Sequence, residues 1–252
     1  DSVTRYFYSA QNVAVTQVSE GVRKIVGRDI RNENGRCLKS RDMFNHANSC
    51  PKPGIVIWLQ KDSSLPPICK ISHSALAVGM GASLSTMRAK GVENVDPKEL
   101  DKLVIEPFAN PFRVHPLVVD CQQFKKLFKS GCDCYIMNTH AFGLSDQLID
   151  IPKELSLSIV TELSRGNIEW RDWKMFQGLQ IPRNGNDLFG TSYDRKYKPT
   201  KNRDYLVYLR DRMQDRITFL SNKRDLEGDM ENTFIDPLVQ ARTVIDRILN
   251  PI

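Results

Sequence analysis

The segment Ile55-Val56-Ile57-Trp58-Leu59 and the loop that follows it, Gln60-Lys61-Asp62-Ser63-Ser64-Leu65-Pro66-Pro67, decide the fold class of this chain. Five apolar residues between Pro53-Gly54 and a polar loop are typical of a buried strand. In open α/β folds, ligands bind where loops leave the carboxyl ends of the strands. We therefore predict that this strand delivers its loop to a ligand-binding cleft.

A second apolar segment, Cys132-Asp133-Cys134-Tyr135-Ile136-Met137, also ends in a polar loop, Asn138 to Gly143. Between and after these two strands, apolar residues recur at helical spacing. The predicted helices cover residues 118–130, 152–166, 203–222 and 235–249, and Gly131 and Gly166 stand where two of them end. Strands that alternate with helices predict an α/β fold with a mixed sheet flanked by helices.

The length of 252 residues allows one large domain or two small ones. We predict an α/β domain over residues 55–252. Residues 1–54 are expected to form an irregular N-terminal segment that belongs to a truncated neighbouring domain. The chain begins with Asp1 rather than Met, which indicates a fragment or a processed form and hence a missing N-terminal domain.

The composition limits the possible partners. The net charge is +6, but basic and acidic residues are interleaved rather than gathered into a basic stripe, which argues against a nucleic-acid partner. No apolar run is long enough for a membrane span, so no membrane partner is expected. Six scattered cysteines favour a reducing compartment, and we predict a cytoplasmic protein. The Cys132–Cys134 pair could meet a metal, but two small apolar side chains in a strand explain it better, and no metal site is predicted.

Three segments, in this order, resemble the C-terminal half of ATP-dependent phosphoenolpyruvate carboxykinase. The first is the strand at 55–59 with Leu65-Pro66-Pro67-Ile68-Cys69-Lys70-Ile71 after its loop. The second is Phe108-Ala109-Asn110-Pro111-Phe112-Arg113-Val114-His115-Pro116, and the third is Ile136-Met137-Asn138-Thr139. A weaker match, Ser40-Arg41-Asp42-Met43-Phe44, falls where the family has Thr-Arg-x-x-Tyr. The resemblance implies the fold of that family's C-terminal domain and a site for ATP with Mg²⁺ or Mn²⁺.

This chain departs from the family pattern at the motifs that carry the family's catalytic chemistry. The chain has no G-x-x-x-x-G-K-[ST] segment, so the loop of backbone N–H groups that cradles a triphosphate is missing. The Gly-rich loop and Lys-Arg pair that the family carries after Asn-Thr are also lost. We find no nucleophile motif and no complete catalytic constellation. No catalytic residue is therefore predicted, and the sequence leaves open whether the protein is an enzyme; if active, it would be a phosphoryl-transfer lyase.

Five residues are candidates for a site. The resemblance aligns Arg41 with an arginine that contacts substrate and phosphate, and a guanidinium suits a bidentate grip on either, although a surface arginine is an equal alternative. Asp62, Asn138, Thr139 and His140 are candidates for the nucleotide cleft. A loop turn explains Asp62 equally well, and loop capping explains Asn138 and Thr139 slightly better than ligand binding. A lone histidine such as His140 is more often structural or solvated.

These observations support two main hypotheses. In the first, the chain is a divergent carboxykinase-like domain that contributes one side of a nucleotide or phosphate cleft, with a nucleotide or small carboxylate as ligand. In the second, it is a non-catalytic binding or regulatory domain that retains only the fold. A third, an enzyme of another class that uses His140 and Asp62, rests on their location alone. Fold resemblance does not by itself carry activity.

Overall fold

A computed structural model describes residues 8–11, 14–19, 22–26, 36–39, 52–87, 102–110, 113–183, 185, 187–226 and 229–251. The chain divides into two compact units. One consists of Asp1–Lys52 with Met87–Lys102, and the other of Pro53–Thr86 with Leu103–Ile252. Among the described residues, no helix has both the length and the apolar composition needed to cross a bilayer.

The described part of the first unit consists of short strands: β1 (Tyr8–Gln11), β2 (Ala14–Ser19), β3 (Val22–Val26) and β4 (Arg36–Lys39). Strands β1 and β4 pair in antiparallel fashion, and so do β2 and β3. These segments are more regular than the irregular segment that the sequence predicts for residues 1–54. Strands of four to six residues with interspersed polar side chains carry only a weak periodic signal in the sequence, so their bounds are not predictable from it.

The second unit contains the remaining strands and α-helices, apart from Met87, the last residue of β7, which belongs to the first unit. Its strands are β5 (Ile55–Gln60), β6 (Ile68–Ile71), β7 (Ser85–Met87), β8 (Leu103–Ile105), β9 (Asp133–Asn138), β10 (Ala141–Phe142), β11 (Ile149–Asp150), β12 (Trp170–Asp172) and β13 (Leu179–Pro182). Its helices are α1 (Ser74–Ala82), α2 (Leu117–Lys129), α3 (Lys153–Arg165), α4 (Thr191–Tyr197), α5 (Arg203–Ser221) and α6 (Asp229–Leu249).

A five-stranded sheet, in the order β12-β13-β6-β9-β5, forms the centre of this unit. Strands β5 and β9 are parallel, with Gln60 opposite Asn138, whereas β6 runs antiparallel to β9 and β13 antiparallel to β6. The prediction of an α/β fold with a mixed sheet and flanking helices is therefore confirmed. Because β5 and β9 are parallel neighbours, the loops that follow them leave the same edge of the sheet.

The helices largely follow the predicted boundaries. Helix α3 ends at Gly166, which caps it in the left-handed conformation with φ +70°, and Gly131 follows α2 with φ +92°. Helix α6 begins earlier than the sequence predicts, at Asp229, and includes Pro237 in its interior. The earlier start packs Phe234 into the core, where its side chain is fully buried.

Helix α1 is almost entirely buried and contacts α2, α6 and β6. Two glycines allow this close packing. A Cβ atom on Gly79 would lie 2.5 Å from the Phe234 carbonyl oxygen, and one on Gly81 would lie 2.8 Å from the Trp58 ring. The small residues of α1 thus permit backbone approaches that no larger side chain would tolerate.

Candidate functional site

The carboxyl ends of β5 and β9 bring four of the five sequence candidates together: Asp62, Asn138, Thr139 and His140. The Thr139 N–H donates a hydrogen bond to the Gln60 carbonyl oxygen at 3.0 Å, so the β5–β9 pairing continues to the start of the loops. The Asn138 N–H donates to the Pro67 carbonyl oxygen at 3.0 Å. The fifth candidate, Arg41, lies outside the described residues.

Asp62 is fully buried, and both of its carboxylate oxygens have partners. Oδ1 accepts hydrogen bonds from the Ser64 backbone N–H (3.1 Å) and hydroxyl (2.7 Å). Oδ2 accepts from Arg216 Nη2 at 2.7 Å, and Arg212 Nε lies 3.6 Å from Oδ1. Burial raises the pKa of Asp62, but the two guanidinium charges and the hydrogen bonds outweigh it and hold this pKa below its usual range.

The partner of Asp62, Arg216 of α5, is also fully buried. Its Nη2 also donates to Gln60 Oε1 at 2.9 Å, and its Nη1 donates to the Ser83 carbonyl oxygen at the end of α1. The guanidinium therefore joins the β5 loop, α1 and α5. Because it occupies one carboxylate oxygen and the Ser64 groups occupy the other, Asp62 offers neither to a ligand in this arrangement.

Asn138 holds the two loops together from the end of β9. Its buried Nδ2 donates to three carbonyl oxygens, those of Asp62 (3.0 Å), Leu65 (2.8 Å) and Ala141 (2.7 Å). Its Oδ1 accepts from the His140 backbone N–H at 3.1 Å. All polar atoms of this side chain are thus used within the protein, which favours the loop-capping interpretation over ligand binding.

Thr139 and His140 are less constrained. Thr139 is exposed, and its hydroxyl lies 3.4 Å from the Gln60 carbonyl oxygen. His140 is half-buried and is held through its backbone, since its carbonyl oxygen accepts from the Ile151 N–H at 2.9 Å. Its imidazole has no hydrogen bond to another described residue. Among the described residues, no side chain forms a hydrogen bond or an ion pair with either of them that would complete acid–base or nucleophilic chemistry.

A cavity of about 240 Å³ lies beside the loop that follows β9. One part of its lining comes from Phe142 to Ile149, and the rest comes from residues 195–205, which include the end of α4 and the start of α5. Three cations line it, Arg195, Lys196 and Lys198, and no acidic residue does. The cavity is joined to the buried network, because Tyr205 at its wall donates to the Ser64 carbonyl oxygen at 2.7 Å.

Neither these cations nor Arg216 is among the candidate residues named from the sequence. The signal for the cations is Arg195-Lys196-Tyr197-Lys198, a short basic cluster immediately before a predicted helix. Arg216 does have a signal in the sequence, because it stands at helical spacing with Leu209, Met213 and Leu220, the buried apolar residues of α5. A charged residue on an apolar helix face is expected to be buried and paired.

The described residues contain no group of three or more His, Cys, Asp or Glu side chains placed to hold a metal ion. Cys132 and Cys134 are both buried, and burial raises the pKa of the Cys134 thiol well above its usual range. A thiol with a raised pKa is a poor metal ligand and a poor nucleophile. The C-x-C pair is therefore best explained by packing.

No family model and no curated protein sequence matches this chain. The function of the chain is therefore inferred from its own geometry.

Proposed function

We propose that the second unit of this chain contributes one wall of a cleft for a nucleotide or another phosphate-bearing ligand. The cavity beside the β9 loop carries the proposal, because Arg195, Lys196 and Lys198 line it and no acidic residue does. Of these three cations, Lys198 forms an ion pair outside the lining, with Asp194 at 3.9 Å. Arginine and lysine side chains are the groups that proteins use to bind phosphate oxygens. The aromatic ring of Phe142 and the apolar side chain of Ile149 provide a surface for a base.

The resemblance to the C-terminal half of ATP-dependent phosphoenolpyruvate carboxykinase is consistent with this proposal. That family carries a Lys-Arg pair shortly after the Gly-rich loop that follows Asn-Thr, and this chain has Leu148-Ile149-Asp150 in the corresponding stretch. The three cations at the end of α4 are candidates to replace the lost charge. Because the phosphate-binding loop is missing, a complete active site would need residues from outside the described cavity.

A second candidate function is a binding or regulatory domain that keeps only the fold. The internal use of Asp62 and Asn138 favours it, since neither side chain has a polar atom left for substrate or metal. The two candidates differ in what they predict for ATP.

Isothermal titration with ATP distinguishes them, using the full chain with and without Mg²⁺. The cleft predicts binding that weakens about two- to fivefold in each of Arg195→Gln and Lys196→Gln, because a partly exposed ion pair contributes up to roughly 1 kcal/mol. The matched control is Lys129→Gln, an exposed lysine of α2 that does not line the cavity. Absence of heat, with the protein folded, would favour the fold-only domain.

The effect of metal ions on ATP binding also distinguishes the two candidate functions. With Asp62 paired to Arg216, we expect ATP to bind without added metal. Binding that depends strictly on Mg²⁺ or Mn²⁺ would instead favour the carboxykinase-like enzyme and would require carboxylates beyond those of the described cavity.

A further inference from the structure

A larger cavity, of about 500 Å³, lies at the opposite end of the central sheet from β5. It is formed between the β12–β13 hairpin and the connection from α4 to α5. Its apolar lining comes from Trp173, Met175 and Ile181, all of which are buried core residues. A volume in this range is typical of small-molecule sites, which combine apolar walls with a few polar groups.

The rim of this cavity is strongly basic. Arg171, Lys174, Lys198 and Lys201 line it together with Asp172, and Asp194 outside the lining lies within 4.0 Å of Arg171 and 3.9 Å of Lys198. Lys174 and Lys201 form no salt bridge with a described residue. An excess of cations around an apolar floor favours ligands with negative charge and an apolar body.

Two contacts hold Arg171 in place. Its Nε donates to the Pro182 carbonyl oxygen at 3.3 Å, across the hairpin, and its Nη2 lies 4.0 Å from the Asp194 carboxylate. A guanidinium fixed through these atoms is oriented before a ligand arrives, which reduces the entropy cost of binding.

The floor contains a donor without an acceptor. Trp173 is 3% exposed and stacks on Phe176, and its Nε1–H has no hydrogen-bond partner among the described residues. A buried donor in this state is unfavourable, because it has lost water and gained no partner. Trp173 also lines the cavity, so a ligand acceptor that reaches this N–H would remove that cost.

We propose that this cavity binds an organic carboxylate with an apolar body, its charge placed among the basic rim residues and its body against Trp173. This site goes beyond the proposed nucleotide wall, and Lys174 and Lys201 line only the larger cavity. Replacing Lys174 or Lys201 with a neutral residue therefore affects the larger cavity and leaves the lining of the cavity beside β9 unchanged.

The test is isothermal titration of the full chain with 4-phenylbutyrate and with its uncharged analogue, 4-phenylbutyramide. We expect one carboxylate per chain, with the amide bound about tenfold more weakly or not at all, because the summed rim charges are worth roughly 1.4 kcal/mol. Lys174→Gln and Lys201→Gln should each weaken carboxylate binding about two- to fivefold. Lys129→Gln, distant in sequence and outside the cavity lining, should leave it unchanged.

Tryptophan fluorescence locates the ligand independently. 4-Phenylbutyrate should change the emission of the wild-type protein, and Trp173→Phe should remove that change while Lys174→Gln shifts it to higher ligand concentration. Equal affinity for the acid and the amide would overturn the proposal. So would a carboxylate affinity that responds to Arg195→Gln or Lys196→Gln but not to Lys174→Gln, because the ligand would then occupy the cavity beside β9.

Discussion

Replacing Asp62 with Asn removes the negative charge that compensates the buried guanidinium of Arg216. Both side chains have no exposed surface, and their closest atoms are 2.7 Å apart. In one orientation the asparagine oxygen accepts the Ser64 hydrogen bonds, and its NH2 group then faces the Arg216 Nη2 donor. In the other orientation a neutral oxygen faces Arg216, and the Ser64 hydrogen bonds are lost. Breaking a buried pair by removing one partner typically costs about 3–5 kcal/mol, since the remaining charge is left in a poorly solvated environment.

This cost is large compared with the roughly 5–15 kcal/mol by which a domain is usually stable. We therefore expect Asp62→Asn to lower the free energy of unfolding, measured by urea denaturation with circular dichroism, by about 3–5 kcal/mol. The control is Asp215→Asn, which removes the exposed partner of Arg212, a carboxylate 56% exposed and 2.6 Å away. That change should cost no more than about 1 kcal/mol, because solvent screens an exposed pair.

A double variant tests the reasoning behind the number. Asp62→Leu combined with Arg216→Met removes both buried charges, so it should cost less than the sum of the two single substitutions. The reasoning fails if Asp62→Asn costs less than about 1 kcal/mol, or if the double variant costs more than that sum. Either result would mean that the pair is not buried in solution. Asp62 would then be free to bind a substrate or a metal ion.

Three further predictions concern stability. The pKa of Asp62 lies below its usual value of 3.8. The difference in unfolding free energy between wild type and Asp62→Asn should therefore have its full value above about pH 5 and decrease as the pH falls through the lowered pKa. Urea titrations at several pH values measure this difference. Asn138→Ala removes the amide that donates to the Asp62, Leu65 and Ala141 carbonyl oxygens, of which the Asp62 oxygen keeps the Leu65 N–H as a donor, and it should cost about 2–3 kcal/mol. Asn138→Asp, which repels the same carbonyls, should cost at least as much by the same assay. Gly79→Ala should cost about 1–3 kcal/mol, since its Cβ would meet the Phe234 carbonyl oxygen at 2.5 Å. The control is Gly54→Ala, because a Cβ atom there would have no atom within 4 Å. If the melting temperatures of the two variants agree within the error of repeated thermal melts, the packing argument is wrong.

Local signals made part of the fold predictable. The apolar runs of β5 and β9 and the glycines that end α2 and α3 are encoded within a few neighbouring residues. The order of the sheet is not, because β6 and β13 are four-residue strands whose pairing depends on partners far along the chain. Helix α6 shows the same limit, since the proline in its interior is unfavourable locally and tolerated only in the packed structure.

The candidate site was predictable in position but not in role. The pattern of strand followed by polar loop placed Asp62 and Asn138 at one edge of the sheet, and the structure brings them together there. A carboxylate in a loop has the same sequence signature whether its counter-charge is a ligand or a protein side chain. In this protein the counter-charge is Arg216, 154 residues further along, and no local pattern connects the two.

Both proposals assign ligand recognition to surface cations, because the buried charges of Asp62 and Arg216 compensate each other, and one of these cations lines both cavities. Lys198 lines the cavity beside β9 and the larger cavity of the β12–β13 hairpin, and its only described ion pair is the 3.9 Å contact with Asp194. A single ammonium group can neutralise one bound anion fully, so a phosphate ligand and a carboxylate ligand should compete for it. We expect saturating 4-phenylbutyrate to weaken ATP binding about two- to fivefold, and Lys198→Gln to weaken both ligands and abolish the coupling. If the coupling persists in Lys198→Gln, the two ligands occupy one cavity, and the assignment of separate sites is wrong.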